Sequence, residues 1–430
     1  MTRQLHLERE CLSLACDLVK VPSLTPLSPQ LFPAAKQSLD CLQDFLESAG
    51  AACHRLTFQG GHEIWNYPVD NLYAEWSGDE SFGHLCFIGH ADVVPPGDLA
   101  LWKSDPFSGV IREGFLWGRG ATDMKGAIAA FSAAAASFAS SGPSRFPKVS
   151  LVITTDEEWA AVNGTCKILE WMRSNGRTPS AFLIGEPSSP SHLGSHIKIG
   201  RRGSLCGVLH AKGVQGHAAY PELFQNPNRT LTLALTILSA QRWADSVHGM
   251  LPTAFETIAI ASGDFNATAI IPGEAQALWN IRFTPQQTTD RLLAKVRTLL
   301  ETPPEWARNH PNSADLAGIT IIGNTGTASL PYYSPPSSFA TLVSRSVFAT
   351  IGQTPVLDAG GGTTDGRFIH PVFPGVEIVE LGLPEDGGAR DPRHLSGGMH
   401  QADERCSVID LGRLAQCYSA ILNAFSDPVS

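Results

Sequence analysis

The chain has no CxxC pair, no Lys/Arg-rich run and no stretch of eighteen apolar residues free of polar breaks. Each absence removes a class of protein. Nine scattered cysteines, odd in number, argue against a disulfide framework and for a reducing cytoplasm. Without a basic cluster, and with 31 basic against 41 acidic residues, nucleic acid is not an expected partner. The Ala-rich run 127–140, AIAAFSAAAASFAS, is too short and too small in side-chain size for a membrane span. The first twenty residues lack an apolar core ending in small residues, so no signal peptide is expected there. There is also no internal repeat and no long low-complexity linker.

What remains is a chain of 430 residues, 43% hydrophobic and 17% charged, which fits globular folding. That length exceeds one ordinary core, so two domains are expected. Short apolar runs at 84–89, 149–154 and 181–185 read as buried strands, and 124–140 reads as a helix stopped by Gly142-Pro143. Gly50 reads as the glycine that closes a helix. Strand and helix patterns alternate, which implies an α/β fold with a mixed sheet and helices on both faces. After about Gly203 the pattern changes, with two strand–helix stretches that include 230–243 and 288–301. The expected division is a discontinuous larger domain, 1–203 and 318–430, carrying an inserted α+β domain at 204–317. The chain is expected to return to the larger domain through 337–352 and to end on a helix near 406–425.

The chemistry is suggested by where carboxylates and histidines fall. His90 and Asp92 follow one apolar run, Glu157 and Glu158 a second, and Glu186 a third, while Asp123 stands at the mouth of a helix. In open α/β sheets this edge binds ligands. Imidazole and carboxylate suit Zn²⁺, and a carboxylate can bridge two ions. His400 in GMHQADE supplies a fifth ligand. Glu157, adjacent to the ligand Glu158 but on the opposite face of an extended backbone, suits the base that moves a proton from water to a leaving group. Asp92, two residues after His90, suits the group that orients the imidazole. Each feature alone has an ordinary alternative: a solvated acidic turn at 156–158, a helix N-cap at Asp123, a turn residue before Pro187. Jointly they favour metal, because charge placed after apolar runs needs a partner.

Ten segments in order carry a resemblance: GHADVVPPGD (89–98), GRGATDMKG (118–126), TTDEE (154–158), IGEPSS (184–189), IKIGRRGSL (197–205), GVQGHAAYP (213–221), NIRF (280–283), GGTTDGRF (361–368), VELG (379–382) and MHQADER (399–405). Together they are similar to the zinc aminoacylase and carboxypeptidase superfamily that includes acetylornithine deacetylase. The GRRGSL, QGHAAYP and GGTTDGRF segments most resemble its succinyl-diaminopimelate desuccinylase family. The resemblance implies two divalent ions, zinc with cobalt as a substitute. His90 and Glu186 would hold one, Glu158 and His400 the other, with Asp123 bridging. Glu157 would be the general acid/base and Asp92 the support of His90. His217 would reach the oxyanion from the smaller domain of a partner subunit, so a homodimer is implied. Lys198, Arg201, Tyr220, Arg282 and Thr363 would contact the substrate. The implied reaction is hydrolysis of N-succinyl-LL-2,6-diaminopimelate in lysine and cell-wall precursor synthesis. A deacetylase or dipeptidase of the same superfamily is the alternative, and a non-catalytic binding protein on the same fold a second.

Four departures stand against that pattern. Ala269 replaces an Asn before Ile-Ile-Pro, Trp159 replaces a Gly after Glu-Glu, and Thr364 replaces a Ser. An insert at 383–398 carries His394, a rival metal ligand, and the family's Asn in that link has no clear counterpart. His400 is preferred over His394 because QADE follows it.

Overall fold

The computed structural model describes residues 3–25, 29–60, 66–142, 146–190, 192–247, 249–323, 328–388 and 397–426. The chain divides into two units. The first comprises Met1–Gly200, Ser334–Asp358 and Thr364–Ser430, and the second Arg201–Tyr333 with Ala359–Thr363.

An eight-stranded mixed sheet organises the first unit. Its order is Ala52–Phe58, Val69–Trp76, Lys148–Thr154, His84–His90, Ala181–Ile184, Glu377–Glu380, His196–Lys198 and Val356–Asp358. The four strands from Lys148–Thr154 to Glu377–Glu380 run parallel to one another and are flanked by antiparallel pairings on both sides. Central parallel strands are covered on both faces, so their sequences are continuous apolar runs rather than alternating ones. All seven residues of His84–His90 are buried accordingly.

The Ala-rich segment forms the helix Gly126–Ser140, in which eleven of fifteen residues are buried. Such a helix belongs inside a protein, and it packs against helices Arg3–Lys20 and Val408–Ser426. Phe131 from this helix stacks on Phe87 of the sheet at 4.3 Å between ring centres and meets Tyr418 edge-on at 5.5 Å. Among the described residues no helix is long and apolar enough to cross a membrane. Local signals set the other helix ends. Gly50 takes φ +84° just past Phe32–Ser48. The Ser337 side chain accepts from the Ala340 amide at the start of Ser338–Ile351, and Gly352 closes that helix at φ +81°.

The second unit is a four-stranded antiparallel sheet, Ala254–Ser262, Glu274–Phe283, Gly203–Lys212 and Thr320–Gly323, with helices Pro227–Ser239 and Thr289–Glu301. Glu274–Phe283 begins with strict exposed–buried alternation, as expected for a sheet with one covered face. Trp279, Ile281 and Phe283 from it join Leu231, Ile237, Leu292 and Val296 from the helices in one core. Thr288 caps the second helix by accepting from the Arg291 amide. Thr320–Gly323 pairs with Gly203–Lys212, so this unit runs to Tyr333 rather than stopping at 317. The strand at 320–323 is only four residues long and gave no boundary signal in the sequence.

His84 opens its strand in the interior, with Nε2 2.7 Å from Ser150 Oγ. Burial, and secondarily the charge of Lys148, push its pKa down from 6.5 to about 4. The unfolded chain therefore takes up a proton near pH 6.5 that the folded chain refuses until about pH 4. Stability is lost as pH falls through that window. A His84→Gln variant is expected to show a flatter fall in urea-unfolding free energy between pH 7 and pH 4.5 than the parent.

Candidate metal centre

Three adjacent parallel strands end side by side, and the residues that follow them form the site. His90 is the last residue of His84–His90. Glu157 and Glu158 follow Lys148–Thr154, and Glu186 follows Ala181–Ile184. The turn before helix Gly126–Ser140 brings in Asp123, with Gly120 at φ +86° where a Cβ would lie 2.7 Å from Val93. His400, itself at φ +61°, enters from the segment before Arg405–Ser407.

These six side chains converge. Asp123 Oδ1 lies 3.2 Å from His90 Nε2, and Asp123 Oδ2 lies 3.3 Å from His400 Nε2. His90 Nε2 is 3.6 Å from Glu186 Oε1, and His400 Nε2 is 3.2 Å from Glu158 Oε1. Two overlapping groups have ligand atoms all within 4.8 Å of one another: His90, Asp123 and Glu158, and His90, Glu157 and Glu186. Each could hold a metal ion.

The electrostatics fit that use. Burial, reinforced by Asp365, pushes Glu157 up to about 8. Burial and the neighbouring Asp123 charge raise Glu158 and Glu186 too, Glu186 strongly. For Asp123 burial works upward, yet hydrogen bonds from His400 and His90 override it and hold the carboxyl low. Hydrogen bonds to Asp123 and Glu158 lift His400 to about 11. Burial opposes a charge on His90, but Asp123, Glu186 and Glu157 still raise it well above its ordinary value. Burial thus favours protons on the acids, and the carboxylates favour protons on the two imidazoles. Metal binding displaces such protons, and the donors, imidazole nitrogen and carboxylate oxygen, suit zinc and similar ions.

Asp92 differs from its expected role in detail. His90 Nδ1 is 3.0 Å from the backbone oxygen of Asp92 but 3.7 Å from its carboxylate. The carboxylate instead accepts from the amides of Glu157 and Glu158, at 3.2 Å each, and from Thr25 Oγ1 at 3.0 Å. Two backbone donors draw it away from the imidazole, so it shapes the turn that presents both glutamates.

Lys198 also differs. Its buried ammonium forms an ion pair with Asp358 and lies 3.9 Å from Glu385. The parallel register that sets Lys198 opposite Asp358 accounts for this. The sequence reading missed Arg367, whose Nη1 is 3.6 Å from Glu157 Oε1 and whose Nη2 is 3.7 Å from Asp365. Both residues lie in GGTTDGRF, a segment singled out for Thr363 alone. It also missed Arg119 and Glu404, a buried pair at 2.5 Å beneath the Asp123 turn. The available signal was one charge in GRGA and one of three adjacent charges in ADER. Thr364 hydrogen-bonds Glu380 at 2.7 Å, which the Ser-to-Thr departure leaves intact. His394 lies outside the described residues.

The remaining expected contacts lie in the second unit. His217 is exposed on the two-residue strand Gly216–His217, its Nδ1 accepting from the Ala219 amide at 3.1 Å and its ring 5.4 Å from Tyr220. Arg282 Nη1 is buried with no hydrogen-bond partner among the described residues. Arg202, whose pKa is lowered by burial and then by Arg282, lies near it. Arg201 is buried, with Nη1 3.4 Å from the Gly360 oxygen. Gly361, at φ +106°, leaves room for it, since a Cβ there would lie 2.3 Å from that guanidinium. Thr363 is half-buried in the same turn.

The chain belongs to peptidase family M20/M25/M40, whose model matches residues 86–424. Among its curated relatives, succinyl-diaminopimelate desuccinylase of Rhodospirillum centenum is 40% identical over 413 residues, covering 96% of each chain. The enzyme of that name from Methylocella silvestris is 38% identical, covering 97% of this chain and 99% of the relative. Solved structures share the fold at low identity. Human carnosine dipeptidase 1 aligns with a TM-score of 0.76 at 16% identity, over 99% of this chain and 98% of that one. The M20 metallo-carboxypeptidase Sso-CP2 from Sulfolobus solfataricus aligns at 0.74 and 16% identity, over 99% and 100%.

Proposed function

We propose that this chain hydrolyses N-succinyl-LL-2,6-diaminopimelate to succinate and LL-2,6-diaminopimelate, a step toward lysine and cell-wall precursors. The observation that carries the reading is Asp123, whose two oxygens each face a different imidazole (His90 and His400). A bridging carboxylate needs that arrangement. His90 and Glu186 would hold one zinc and Glu158 and His400 the other, with cobalt as a substitute. When bound, such ions act as Lewis acids that polarise the scissile carbonyl and acidify water.

The chain's own residues supply the rest. Glu157 takes a proton from the attacking water as its oxygen bonds to the amide carbon. It returns that proton to the nitrogen as the C–N bond breaks, leaving a carboxylate and an amine. The place of Glu157 beside His90, Glu186 and Arg367 supports this role. His217 of the partner subunit donates to the developing oxyanion. A homodimer is supported by the edge strand Ala254–Ser262, which exposes Ile258 and Ile260. Exposed apolar edges are sites of pairing between chains. Nine free thiols support a cytoplasmic setting.

Substrate carboxylates call for guanidinium groups. Arg282 supports that role, having an unpartnered nitrogen among the described residues. Arg201, Tyr220, Thr363 and Lys198 are the further substrate contacts that the resemblance implies. Arg282→Ala is expected to raise KM about tenfold or more while changing kcat less, by loss of a charge-assisted bond. Steady-state kinetics on the succinylated substrate read this. The reading itself is tested by comparing kcat/KM on N-succinyl-LL-diaminopimelate with that on N-acetylornithine. Preference for the succinylated compound is expected, and preference for the acetylated one would assign the chain to a sister hydrolase.

A further inference from the structure

Two segments almost three hundred residues apart must meet to place Asp123 against His400, and one buried carboxylate joins them. Glu404 is fully buried. Its Oε1 accepts from the backbone amides of Gly120 at 3.0 Å, Thr122 at 3.1 Å and Asp123 at 3.2 Å. Its Oε2 pairs with Arg119 Nη1 at 2.5 Å. The Arg119 guanidinium in turn reaches back to the His400 carbonyl at 3.4 Å. Backbone and side-chain bonds reinforce the join. The Gly118 amide donates to the Glu404 oxygen at 2.8 Å, and Thr122 Oγ1 donates to the Arg405 oxygen at 2.8 Å. Arg405–Ser407 pairs with Phe115–Trp117 in a small sheet.

Resting on the two-metal reading, we infer that Glu404 is a positioning residue: with Arg119 it fixes the Asp123 turn to the His400 segment, so that the bridging ligand and a terminal ligand are set before metal arrives. A carboxylate is suited to this because three amides and a guanidinium share its two oxygens. An amide side chain would still accept from the backbone but would lose the charge that holds Arg119. The main consequence falls on the ion held by Glu158 and His400, since both Asp123 and His400 belong to it. The ion held by His90 and Glu186 shares Asp123 alone with this join.

The test is metal binding by chelator-stripped protein, followed by competition with a zinc indicator, on the parent, Glu404→Gln and Arg119→Lys. Outer partners of metal ligands typically control affinity by about 10- to 100-fold. Glu404→Gln is expected to weaken one of two binding steps about tenfold or more, to move the other less, and to recover most of its kcat in excess zinc. If Glu404→Gln does not fold, Arg119→Lys, which keeps Glu404 on the three amides, is expected to weaken the same step about threefold or more. A folded variant with parental affinity at both steps overturns the inference, as does a fall in metal-free thermal stability with affinity unchanged, which is what a merely structural role gives. A parent that binds no zinc would instead overturn the two-metal reading itself.

Discussion

Glu157→Gln is expected to lower kcat by about 10²–10⁴-fold while the protein keeps both metal ions. General acid/base catalysis contributes on that scale, and glutamine, of the same shape, can neither take nor return a proton. The geometry makes the accompanying metal measurement decisive, because Glu157 also lies within a group with His90 and Glu186 whose oxygen and nitrogen atoms converge. If Glu157 were chiefly a ligand, the variant would lose metal along with activity, and excess zinc would restore part of the rate. As a base it loses rate with metal content unchanged, and excess zinc restores nothing. The contacts favour the base, because Glu157 faces Arg367 at 3.6 Å whereas Glu158 meets the imidazole of His400 at 3.2 Å.

Asp123→Ala is expected to abolish measurable hydrolysis and to cut bound zinc well below the parental stoichiometry. Both proposed ions lose a ligand at once, and His90 and His400 lose the carboxylate each now faces. Metal bound to the folded state alone stabilises it by about 4 kcal/mol at a thousandfold excess over the dissociation constant. Added zinc therefore raises the melting temperature of the parent by several degrees, and that shift should largely vanish in the variant. Metal content by elemental analysis and thermal melts with and without zinc read both effects.

How much of this was legible beforehand follows from the kind of signal each feature leaves. The runs HLCFIG, VSLVIT and AFLI are apolar because both faces of the central sheet are covered, so three strands and the charges just beyond them could be read directly. Three of the five ligand candidates, His90, Glu158 and Glu186, were legible for the same reason, since a charge at the end of a buried strand calls for a partner; Asp123 stood out at the mouth of a helix, and His400 through the QADE that follows it. The details of Asp92 were not, because its choice between an imidazole and two backbone amides depends on the turn at 155–158. The Lys198–Asp358 pair joins residues 160 apart through parallel register, and no local pattern encodes register across that distance. Glu404 leaves one more charge among the charges of MHQADER; its burial and its three amide partners arise from the meeting of distant segments. The end of the second unit was misplaced because Thr320–Gly323 is a four-residue strand recognisable by its pairing with Gly203–Lys212 rather than by its composition.

The most direct test of the central claim is a zinc titration of chelator-stripped protein in which bound metal and succinate release from N-succinyl-LL-diaminopimelate are followed together. The account predicts negligible release at the start and a rise with bound zinc that levels off at two ions per chain. Full activity in the stripped protein, or two bound ions with no succinate released, would contradict it.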